Sequence, residues 1–173
     1  MDMLSEVISY IDTAKKNLFY AYKNPAYKDT KLSESHSDLT NVTSKLENKI
    51  KQYAFELQRI DNRNGLSGLI FSPFDMTKVK NITKMSKIAF KSYLEALFLL
   101  TIIDNSRGAN SSVFIEQGKK FVWELENNKY TNLFFEYDKH KSEIWKINNM
   151  ENLIDNASLI SASFDDYIKR IQP

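Results

Sequence analysis

Cysteine is absent from this chain. Disulfides, thiolate metal sites and cysteine nucleophiles are excluded together. Histidine is almost absent, with only His36 and His140 present. His36 stands in a serine-rich stretch and His140 between two lysines. Neither has a histidine or carboxylate at i+4, so both read as solvated surface histidines and no metal is expected. Glycine is scarce, at four residues, and forms neither Gly-x-Gly-x-x-Gly nor a Gly-Lys-Ser/Thr phosphate loop. The sequence therefore offers no cofactor motif. Arginine occurs only at positions 59, 63, 107 and 170. Bidentate readers of bases and phosphates favour arginine over lysine, which weighs against sequence-specific nucleic-acid recognition.

Long apolar runs are missing as well. The longest, Leu94 to Ile103, contains Glu95 and Thr101. It is about half the roughly 20 residues that a bilayer crossing needs, so no membrane partner is expected. The amino-terminal stretch carries Asp2 and Glu6 where a signal peptide would carry bases. Together with the lack of cysteine, this points to a cytoplasmic protein.

What remains is enough for a folded domain. A chain of 173 residues is expected to form one domain, 1–173. Folding should remove roughly 70% of its unfolded surface from water. The hydrophobic share of 42% and aromatic share of 13% exclude disorder of the whole chain. Net charge is only +2, so any electrostatic preference must lie in local patterning.

That patterning is helical. Leu4, Val7, Ile11, Ala14, Leu18 and Ala21 recur at strict steps of three and four, the mark of a coiled-coil-like seam. Asn24-Pro25 should stop this first helix, because proline pushes the preceding residue out of the α region. A polar connection is expected from Ala26 to about Ser37. A second helix should then run from Ser37 or Asp38 through Leu39, Val42, Leu46, Ile50, Tyr53, Leu57 and Ile60 to Gly65. An apolar connector follows, and Ser72-Pro73-Phe74-Asp75 reads as the start of a long third helix ending near Ile103. A fourth helix is expected from Ser112, with Phe114, Gly118, Phe121 and Leu125 on one side and Asn127-Asn128 as its interruption. The stretch 129–148 fits either a helix or a small β-hairpin near 130–147, with helix preferred. A last seam comprises Met150, Leu153, Ala157, Ile160, Phe164, Tyr167 and Ile171. The predicted fold is an all-α bundle of four to six helices, with coiled-coil-like seams in the first and last.

Two surfaces stand out. From Thr77 to Leu94 there are five lysines and no acid. At about 100° per residue, Lys80, Lys84, Lys87 and Lys91 share a narrow wedge, and the same line continues as Leu94, Phe98 and Ile102. The plainer reading makes the first half of this helix a solvated face and the second half buried all round. The sharper reading makes the line a binding strip, an apolar anchor beside a basic rim. The second surface is aromatic. Phe19, Tyr20, Tyr22 and Tyr27 fall off the seam, where they either bind a partner or cap the bundle end against the connector around Leu69 to Phe74.

Acidic pairs such as Glu124/Glu126 and Asp165/Asp166 are one or two residues apart and diverge on a helix. No catalytic residues are assigned on this basis. The expected function is a non-enzymatic protein-interaction module: an adaptor, inhibitor, immunity protein or small subunit of a larger assembly. Its partner would be another protein, acidic in character, or a second copy of itself. The alternative is a small helical subunit that contacts nucleic-acid phosphates through the lysine stripe.

Overall fold

A computed structural model describes residues 2–64, 73–109 and 112–131. Within them the chain is all-α, with no strand. The order is α1 (Met3–Lys23), a 3-10 turn (Pro25–Tyr27), α2 (Lys28–Asn64), α3 (Pro73–Ser106) and α4 (Ser112–Glu126). The hairpin alternative near 130–147 and the seam at 150–171 lie outside the described residues, apart from 129–131. Those three residues are helical, and the Asn128 carboxamide accepts from the Tyr130 and Thr131 amides at 2.9 and 3.2 Å.

α1 forms as its spacing predicts. Asp2 caps it by accepting from the Ser5 amide at 2.9 Å, and every residue of the predicted seam is buried. The seam faces α2 and α3 of the same chain. The break at Asn24-Pro25 occurs where expected, but the connection is far shorter than the polar composition of 26–37 suggests. It is a single 3-10 turn, and α2 begins at Lys28 instead of Ser37. Leu32, Ser35 and Leu39 are fully buried at steps of three and four, so the core stripe already runs through this stretch. Its Lys, Asp, Thr and Glu residues are the solvated face of a helix, not a loop.

α2 and α3 are the long elements, at 37 and 34 residues. They run antiparallel: His36 meets Asp104 near one end, and Tyr93 meets Glu47 nearer the middle. α1 lies against both, tied by Lys45–Glu6 at 3.8 Å to α2 and by the Lys15–Glu95 ion pair to α3. α3 is capped at its far end by Gly108 at φ 71, with the Ala109 amide donating to the Asp104 carbonyl at 2.9 Å. That bond across a left-handed residue satisfies a carbonyl the helix end would leave open.

From Ser92 to Asp104, α3 is buried all round except at Glu95 and Phe98, which are half-buried. α4 turns back along this half. Phe121 meets Tyr93 edge-on at 4.9 Å between ring centres and stacks on Phe90 at 6.2 Å. Phe114, Phe121 and Leu125 are buried as the α4 pattern predicts. None of the described helices is long and apolar enough to cross a membrane.

Candidate functional site

The lysine row lies on the part of α3 that precedes the stretch buried all round. Lys80, Lys84 and Lys91 are exposed and Lys87 is half-buried. Among the described residues, some lysines find acids, as Lys31–Glu34 at 3.0 Å, Lys51–Glu124 at 3.5 Å and Lys129–Asp61 at 3.7 Å. Lys80, Lys84 and Lys91, like the exposed Lys16 and Lys120, form no ion pair among the described residues. Successive members of the row stand three or four residues apart, so their like charges repel by about 0.2–0.5 kcal/mol per pair.

The apolar continuation of the row is placed differently. Leu94 and Ile102 are buried, and Phe98 is half-buried against the core. These three hold the bundle together and are not free to anchor a partner, so only the basic end of the strip meets solvent. The line changes character because neighbouring structure closes over α3 from Ser92 onward.

The aromatic surface is a separate place. Tyr20 and Tyr27 are 44% and 55% exposed, and their rings stand 6.1 Å apart across the α1–α2 turn. The Asn24 amide and side chain both donate to the Tyr20 carbonyl, at 2.9 and 3.0 Å, which fixes that turn. Phe19 packs partly on the core, with the Lys23 ammonium 5.5 Å from its ring centre. The side chain of Tyr22 lies outside the described part. The turn sits at the start of α2, whereas α3 begins beside its far end, about 55 Å of helix away. The connector around Leu69 to Phe74, against which these aromatics were the alternative cap, lies outside the described residues apart from the start of α3.

Three polar clusters join helices in ways the local pattern does not signal. The Tyr93 hydroxyl donates to Glu47 Oε1 at 2.7 Å, and the Gln117 amide donates to the same oxygen at 3.0 Å. Burial, then the nearby Glu47 charge, pushes Tyr93 far above the ordinary tyrosine range, so it stays protonated and donating. His36 is on α2, half-buried, with Nε2 3.1 Å from Asp104 Oδ1 and its ring 5.6 Å from Phe114. This corrects the expectation of a loop-borne, solvated histidine; His140 lies outside the described residues. Asp61 is buried, and its Oδ2 accepts from the Tyr130 hydroxyl at 3.0 Å.

On the side of the hairpin in line with α1, a cleft of about 540 Å³ is lined by Glu56, Arg59, Ile60, Asn62, Lys78, Asn81 and Ile82. Its rim mixes both charge signs, with neither histidine nor hydroxyl among these residues. Two large aromatics that fall off every predicted stripe are also exposed: Phe55 at 60% and Trp123 at 62%. Phe55 lies one turn beyond Lys51 and Trp123 beside Glu124, so they flank the ion pair that ties α2 to α4. Among the described residues, no group of three or more potential ligands gathers to hold a metal.

No family model matches this sequence, and no curated protein or solved structure is detectably similar to it.

Proposed function

We propose that the chain is a non-enzymatic protein-interaction module, an adaptor, inhibitor, immunity protein or small subunit, that binds another protein through a helical face. The observation that supports this is the exposure of Lys80, Lys84 and Lys91 along α3, with no ion pair at any of the three among the described residues. Such a row costs stability in the free chain, and an acidic partner would offset that cost. Exposed Phe55 and Trp123 add apolar contact area of the kind that interfaces favour. The absence of cysteine suits a cytoplasmic setting.

A second reading, a subunit laid on nucleic-acid phosphates, is favoured by the same lysines and opposed by the scarcity of arginine. Affinity capture of the tagged protein from its native cells, with and without nuclease, separates the two. The module reading expects a near-stoichiometric protein that survives nuclease. Nucleic acid that disappears with nuclease supports the second reading, and an eluate with no partner contradicts both.

A further inference from the structure

The cleft of about 540 Å³ between α2 and α3 has the size of a small-ligand site, which spans roughly 300–1,000 Å³. Its floor is apolar and its walls are polar. Ile60, buried, and Ile82, half-buried, supply the floor from the two helices. Exposed Glu56, Arg59 and Asn62 follow one another along α2, and exposed Asn81 stands on α3. The contacts Tyr93–Glu47 and His36–Asp104 set the register of the two helices, which puts Asn81 level with Arg59. Lys78, the remaining lining residue, already takes part in an interaction within the chain.

Glu56 and Arg59 stand three residues apart, a spacing at which opposite charges can pair on a helix surface. Among the described residues neither makes an ion pair or a hydrogen bond. The Glu56 charge falls on the side toward Tyr53, whose hydroxyl is pushed up first by burial and then by that charge. Arg59 lies nearer the end of α2. The cleft therefore offers an anion and a cation about 4.5 Å apart along the helix axis, beside an apolar floor.

We propose that this cleft binds a zwitterionic ligand with an apolar side chain: an apolar α-amino acid, or a short peptide with both ends free. Its ammonium meets Glu56, its carboxylate meets Arg59, and its side chain rests on the two isoleucines. Charge-assisted bonds are the strong ones, and the guanidinium fork matches a carboxylate. Asn62 and Asn81 supply donors and acceptors for a peptide amide. A phosphate would face Glu56, and a nucleobase would find no aromatic ring on these residues to stack on. A wholly apolar ligand would desolvate the polar walls without replacing their hydrogen bonds. The site uses none of the lysine row and does not depend on the protein-interaction reading.

Isothermal titration of the full chain tests this with leucine, the dipeptide Leu-Leu and their end-blocked forms. Leucine or Leu-Leu should bind at least tenfold more tightly than its N-acetyl form, which lacks the ammonium, and its amide, which lacks the carboxylate. The tighter of the two tells free amino acid from peptide. Arg59→Gln and Glu56→Gln should each weaken that ligand at least tenfold, while Lys16→Gln, on α1, leaves it unchanged. Both cleft positions are exposed, so their thermal midpoints should stay within about 2 °C of the parent. No binding of leucine or Leu-Leu up to about 10 mM would overturn the proposal. So would equal affinity for the end-blocked forms, or affinity unchanged by Arg59→Gln or by Glu56→Gln.

Discussion

Tyr93 belongs to a junction in which one carboxylate oxygen, Glu47 Oε1, joins three helices. It donates to Glu47 on α2, which also accepts from Gln117 on α4. Replacing Tyr93 with Phe leaves the carboxylate with one fewer donor in a partly buried place, and should cost about 1–3 kcal/mol in urea denaturation. The hydroxyl also sets a pH limit. An unfolded tyrosine releases its proton near 10, while the buried one holds it to higher pH. Between those two points the folded chain binds the extra proton, so stability contributed by Tyr93 is present below pH about 10 and falls as pH rises. Stability measured from pH 9 to 11 should decline less steeply in Tyr93→Phe than in the parent. Tyr53 and Tyr130 are raised too, each chiefly by burial, so some slope should persist. None of this was readable in the sequence. Tyr93 and Glu47 are 46 residues apart, and a carboxylate on a solvated helical position carries no mark of the phenol it will meet. His36 illustrates the same blindness, since its partners Asp104 and Phe114 come from two other elements.

At the scale of elements, periodicity was sufficient wherever apolar residues alone draw the stripe. α1 and α4 follow it closely because apolar residues fill their inward positions, whereas α3 also buries Thr83, Ser86 and Ser92. The start of α2 escaped because only Leu32 marks its first inward turn, with small, polar Ser35 at the next position. Leu32→Ala should therefore cost about 2–5 kcal/mol, as for a core leucine. Ser33→Ala, one residue away on the exposed side, should change stability by less than about 0.5 kcal/mol. Equal, small effects at the two positions would return this stretch to a loop. Gly108 closes α3 in the left-handed region, and an added Cβ there would meet nothing within 4 Å. Gly108→Ala should consequently lose only the backbone preference, about 1 kcal/mol, read as a lower thermal midpoint.

At the scale of the described molecule, the lysines collect on the solvent side of the first half of α3. The sequence made the basic-to-apolar change near Lys91 legible. It could not say whether Leu94, Phe98 and Ile102 would be free, because burial on the outer side of a helix depends on what packs over it. The structure takes those three into the bundle and leaves the lysines to solvent. Stability and function should then oppose each other at Lys84. Its replacement by Glu removes repulsions with Lys80 and Lys87 and adds attractions of the same spacing. A gain of about 0.8–2 kcal/mol is expected.

Lysine-reactivity mapping of the captured complex tests the interaction surface most directly. The free chain and the complex would be acylated briefly, and modification at each lysine compared by mass spectrometry. Lys80, Lys84 and Lys91 should be protected by the partner, while Lys16, exposed on α1, stays as reactive as in the free chain. Unchanged reactivity along α3, or protection centred on Lys16, would contradict binding through the lysine row.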